Sequence, residues 1–142
     1  MTSFLIILCA GILVLISLIH MYWGFGGSWA SKVVLPMKKD SEEYAFVPRK
    51  AGTFMVAIAV LFFAIVLLAQ RGYISFWSAS RITKWGCILL AVIFFIRAVG
   101  DRKYVGIFKK VKGTQFSMYD TWVYSPLCLF IALTFVVAIY SN

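Results

Sequence analysis

Side chains able to do chemistry are scarce in this chain, and they gather at the ends of apolar runs. His20 closes a run that begins at Phe4, and it is the single histidine. Imidazole titrates near neutrality, which suits acid–base work. Arg97 closes another run and begins the string Arg97-Ala98-Val99-Gly100-Asp101-Arg102-Lys103-Tyr104-Val105-Gly106-Ile107-Phe108-Lys109-Lys110. A guanidinium keeps its charge, so at the edge of an apolar run Arg97 needs a carboxylate. Asp101 stands four residues on, one helical turn away, and Asp120 is the other candidate, from the neighbouring helix. Such a pair serves as a structural lock or as part of a ligand contact. If the chain is an enzyme, His20 is the acid/base, with Asp101 or Asp120 orienting its ring.

Other chemistries find little support. Cys9, Cys87 and Cys128 lie singly inside apolar runs, with no Cys-x-x-Cys and no histidine cluster. A thiol–disulfide enzyme is therefore not expected, nor a metal site, nor any cofactor. Gly24-Phe25-Gly26-Gly27 lacks the spacing and the Lys-Ser/Thr ending of a phosphate-cradling loop. No Ser-His-Asp order and no His-Glu-x-x-His is present. No Asp or Glu falls near the centre of an apolar run, which argues against an autonomous ion-coupled pump.

The elements that must hold these residues are membrane-length helices. The chain has 142 residues, 63% of them hydrophobic. Its charged fraction of 13% is far below the roughly 25% of soluble domains. Four runs predict helices over about 3–23, 51–70, 80–99 and 121–140 of a single transmembrane domain, 1–142. The fold class is an all-α four-transmembrane-helix bundle. The first run carries no basic residue ahead of it and exceeds the usual length of a signal-peptide core, so it reads as a span.

The net charge of +9 resides in short connections rather than a solvated basic domain, so nucleic acid is not an expected partner. The first connection holds Lys32, Lys38, Lys39, Arg49 and Lys50, and the third holds Arg102, Lys103, Lys109, Lys110 and Lys112. The second has only Arg71 and Arg81, with Lys84 at its border. The positive-inside rule then makes the first and third connections cytoplasmic, in a multi-pass protein of the cell membrane with both termini extracytoplasmic. Whichever way the chain is inserted, four spans bring His20, Tyr22, Trp23, Arg97, Asp101, Arg102, Lys103, Tyr104, Asp120 and Tyr124 to one membrane face. These are the candidate ligand-binding residues. Tyr104, Phe108 and Val111 recur at helical spacing among lysines, which suits a short basic segment in the headgroup layer, attracted to anionic lipid.

The set His20-x-Tyr22-Trp23, Gly26-Gly27-x-Trp29, the string from Arg97 to Lys109, Thr114-x-Phe116, Asp120 and Tyr124-Ser125-Pro126-Leu127-Cys128-Leu129 resembles a family of small bacterial four-span membrane proteins known as a domain of unknown function. The resemblance covers nearly the whole chain, with Ser117 standing where Ala is more usual. It implies the four-helix membrane architecture and no activity. The expected function is non-catalytic binding of a lipid, a small hydrophobic molecule or a partner membrane protein at the cytoplasmic end, as an accessory in transport, resistance or immunity. The alternative is a membrane-embedded enzyme acting on a lipid-soluble substrate through His20. An oligomer of identical chains is a further possibility, with Gly11, Ser17, Gly86 and Cys87 as small residues on helix faces.

Overall fold

A computed structural model of the chain describes residues 1–38, 40, 41 and 43–141. Lys39, counted above among the basic residues, lies outside them, and of Ser31 and Lys32 the backbone alone is described. The described residues form helices and no strand. These are α1 (Thr2–Gly24), α2 (Ser31–Val34), α3 (Lys50–Gln70), α4 (Arg81–Val99), α5 (Gln115–Tyr119) and α6 (Ser125–Tyr140). A π-helical turn, Asp120–Tyr124, joins α5 to α6 without a break. Four helices are long and apolar enough to cross a membrane: α1, α3, α4 and the continuous helix Gln115–Tyr140.

The bundle is two antiparallel pairs, α1 with α3 and α4 with α6, packed side by side. In the first pair, Ser17 Oγ donates to the carbonyl of Ala57 at 2.7 Å, and Gly24 lies against the ring of Phe54. Rising numbers in α1 thus meet falling numbers in α3. Between the pairs sits a core of Ile6, Leu13, Leu67, Leu90, Ile131 and Phe135, bridged by Phe94, which meets Phe63 edge-on and Phe135 face-on. Most other large apolar side chains point outward, as in a protein whose solvent is lipid.

The two ends of the bundle are closed differently. At one end Ser80 and Thr83 form a capping box on α4, and Thr83 Oγ1 donates to the buried Gln70 Oε1 at 2.6 Å. Arg71 there donates to the carbonyl of Ser141, which puts the C-terminus beside the second connection. The antiparallel run of α1 along α3 brings the N-terminus to that end too. At the other end the first and third connections meet. Tyr124 donates its hydroxyl to the carbonyl of Val33 at 3.0 Å, and α2 packs on α5.

Two local features depart from the sequence expectation. The last helix begins at Gln115, ahead of 121, because the Thr114 hydroxyl caps it by accepting from Ser117 N. Pro126 therefore sits well inside a continuous helix. The π-turn accommodates it: the amide of Ser125 reaches back five residues to the carbonyl of Asp120, which widens the turn where proline lacks a donor. The stretch 104–111 forms no helix despite its helical spacing. Gly100, Arg102 and Gly106 take φ of 85°, 65° and 91°, which fold the chain back on itself instead.

Candidate functional site

Two arrangements stand at the end where the first and third connections meet. The first is a buried ionic knot around Asp120, a residue with 0% exposure at the start of the π-turn. Arg97 Nη2 donates to Asp120 Oδ1 at 3.0 Å, Gly106 N donates to Oδ2 at 2.7 Å and Lys109 Nζ donates to Oδ2 at 3.1 Å. Lys109, only 3% exposed, also donates to the carbonyl of Gly106 at 3.1 Å and to Thr121 Oγ1 at 2.6 Å. Its three protons thus have three acceptors, the condition under which an ammonium tolerates burial.

The third connection is shaped to deliver Lys109. Asp101 Oδ1 accepts from the amides of Lys103, Tyr104 and Val105 at 2.9, 2.8 and 3.0 Å, which starts the turn. Slight burial pushes this carboxyl up, but the amides of Val105, Tyr104, Lys103 and Asp101 itself outweigh it and hold the group below its ordinary range. The chain then doubles back: Asp101 N donates to Val105 O, Ile107 N to Ala98 O, Lys110 N to Arg102 O and Val111 N to Lys103 O. Gly100 and Gly106 cross so closely that a Cβ on either would overlap a carbonyl of the other segment, from Val105 or from Val99.

Arg97 therefore pairs with Asp120 across helices, not with Asp101 along its own helix. The reason is geometric. Gly100 ends α4 with positive φ, so Asp101 turns away from the helical track and spends its oxygen on amides. Sequence spacing gave Lys109 no special standing, yet it is the buried cation. The available signal was the pair of glycines at 100 and 106, which marks a tight crossing just ahead of it. Among the described residues, Arg97 Nη1 and Ser125 Oγ are buried without a hydrogen-bond partner.

The second arrangement is a cavity of about 290 Å³ between the end of α1, the start of α3 and the first connection. Val34, Leu35, Val47, Pro48 and Val56 give it apolar walls, and His20, Trp23, Gly27, Lys50, Gly52 and Thr53 complete the lining. His20 meets Trp23 edge-on with ring centroids 5.1 Å apart. Its Nδ1 lies 2.8 Å from the carbonyl of Ile16. A carbonyl can only accept, so Nδ1 carries a proton here, and in the neutral form of the ring Nε2 is the acceptor. Trp23 Nε1 donates to the carbonyl of Trp29 at 2.9 Å, which fixes the indole.

The ten sequence candidates thus separate. His20 and Trp23 line the cavity. Tyr22 faces outward, into an open apolar groove with Leu18, Ile19 and Trp29. Arg97 and Asp120 belong to the knot, Asp101 to the turn, and Tyr124 to the link with Val33. Arg102 and Lys103 are exposed on the third connection, with Lys103 Nζ 5.0 Å from the centre of the Tyr104 ring. His20 is oriented by a carbonyl, while both aspartates bind other groups. Lys50, Gly52 and Thr53 join the cavity because α3 begins beside the end of α1, a non-local fact that spacing along the chain does not carry. No group of three or more His, Cys, Asp or Glu that could hold a metal occurs among the described residues.

A family model described as protein of unknown function (DUF3995) matches residues 13–135. No curated protein and no solved structure matches the chain. The matched span runs from within α1 to within α6 and takes in both the knot and the cavity. It bears out the family resemblance carried by the Arg97–Lys109 string. With well over half of its length matched, the chain belongs to the DUF3995 family of proteins of unknown function.

Proposed function

We propose that the chain is an integral membrane protein that binds a small amphiphile in the His20 cavity, without catalysis. The observation that carries this reading is the cavity itself. Its volume, about 290 Å³, is near the lower end of the range for ligand pockets, roughly 300–1,000 Å³. That suits a short lipid-like molecule or a small hydrophobic one. Apolar walls with a few polar groups are the usual composition of such a site. Lys50 offers a cation to an anionic head, and His20 Nε2 offers an acceptor to a hydroxyl or amide. The excess of basic residues on the first and third connections supports a cytoplasmic position for this end.

Catalysis through His20 is less well supported. A catalytic imidazole is commonly held by a carboxylate, and here a helix carbonyl holds it. The ionic knot reads as structure, since nearly all its donors and acceptors are already matched.

Gly52 provides the test. It lines the cavity, and a Cβ added there meets nothing within 4 Å. The backbone there accepts a Cβ, so Gly52→Phe sets a ring against the cavity lining. Native mass spectrometry from mild detergent should find a small molecule retained by wild type and absent from Gly52→Phe. Retention of the same species by both proteins, or by neither, would sink the proposal.

A further inference from the structure

The third connection carries more positive charge than the knot can use. Around Asp120 two cations face one carboxylate. Outside it, Arg102, Lys103, Lys110 and Lys112 are all exposed. The bonds from Lys110 N to Arg102 O and from Val111 N to Lys103 O lay the two basic segments side by side. Between them the turn presents Ile107 and Phe108, 52% and 68% exposed. Asp101 is the single acid from 100 to 119, and three amides already engage one of its oxygens. The turn thus has bare apolar side chains at its tip and cations on its flanks, and among the described residues no ion pair engages Arg102, Lys103, Lys110 or Lys112.

Helix length sets its depth. The 19 residues of α4, at about 1.5 Å each, span about 28 Å, close to the hydrocarbon thickness of a bilayer. Gly100 then stands at the hydrocarbon boundary, and the turn that follows lies in the headgroup layer. Ile107 and Phe108 there meet acyl chains, while the four cations meet phosphates.

We infer that the turn from 101 to 113 is a docking surface for anionic phospholipid headgroups, separate from the amphiphile cavity. The two crossed glycines and the buried Lys109 hold the surface in shape, so its cations are presented together rather than on a loose loop. The burial of Lys109 is what distinguishes this from a simple basic run: one lysine anchors the turn from inside while its neighbours face out.

The test uses the full chain in nanodiscs of equal phosphatidylglycerol and phosphatidylcholine, released into native mass spectrometry. Wild type should retain phosphatidylglycerol over phosphatidylcholine by about five-fold or more, the effect of roughly one basic residue at an anionic surface. The variant R102Q/K103Q/K110Q/K112Q should retain the two lipids about equally. Its fold is checked by far-ultraviolet circular dichroism, and R102K with K103R, K110R and K112R should restore the preference. Gly52→Phe should keep it, so failure of the cavity reading is distinguishable. No preference in wild type, or an undiminished one in the folded glutamine variant, overturns the inference.

Discussion

Asp120→Asn tests the ionic knot with almost no change of shape. The substitution removes the one negative charge that Lys109 touches. It also turns one acceptor into a donor. Asp120 receives Arg97 on one oxygen and both Gly106 and Lys109 on the other, so the new amide N–H must face a donor on whichever side it falls. Breaking a buried ion pair by losing one partner costs about 3–5 kcal/mol, because the remaining charge is left buried. The Arg97 arm adds less, since that side chain is 35% exposed and solvent screens its charge. Lys109→Met should cost less, about 1–3 kcal/mol, because Asp120 keeps Arg97 and the Gly106 amide. The assay is reversible unfolding in mixed micelles titrated with dodecyl sulfate, followed by circular dichroism, on both single variants and the double. The expected coupling between 109 and 120 is about 2 kcal/mol or more, with the double variant costing less than the sum. If Asp120→Asn unfolds within about 0.5 kcal/mol of wild type, as an ordinary surface change does, the knot is not what holds this end together.

Three further outcomes follow from the same geometry. Gly106→Ala should fail to reach the native turn, since its Cβ would overlap the Val99 carbonyl, whereas Gly113→Ala, with φ of 91° and open space, should cost only about 1–2 kcal/mol; comparable stability of the two variants in the same micelles contradicts the crossing. The Asp101 carboxyl is held below its ordinary value of 3.8, so its turn is at full strength above that pH and loosens as pH falls through the lower folded value; a carboxyl carbon resonance titrating at or above 3.8 counts against it. Ser17→Ala removes the bond to the Ala57 carbonyl and should cost about 0.6 kcal/mol, the mean for hydrogen bonds between membrane helices, and a cost beyond about 2 kcal/mol means Ser17 does more than bridge α1 and α3.

The helices were legible because an apolar run of membrane length has few other fates. The gathering of His20, Arg97, Asp120 and Tyr124 at one end was legible too, as a consequence of counting spans. Partner choice was not. Arg97 had carboxylates at 101 and 120, and only the positive φ of Gly100, which ends the helical track, decides between them. Lys109 looked like its neighbours because burial here is set by a crossing of two backbone segments rather than by periodicity. The π-turn was hidden for a similar reason: Pro126 marks a helix start or a widened turn equally well, and the Thr114 cap selects the second.

Val33 is the place where the two helix pairs touch most consequentially. Its carbonyl is held by the Tyr124 hydroxyl, at the end of the π-turn, and its neighbour Val34 is a wall of the cavity. An occupant that pushes the wall outward must either break that bond or draw Tyr124 with it. The π-turn is the least regular part of its helix, and its first residue is Asp120. If the proposed ligand binds, its presence would thereby be felt by the other half of the molecule, through the Tyr124 phenol and the packing of α2 on α5.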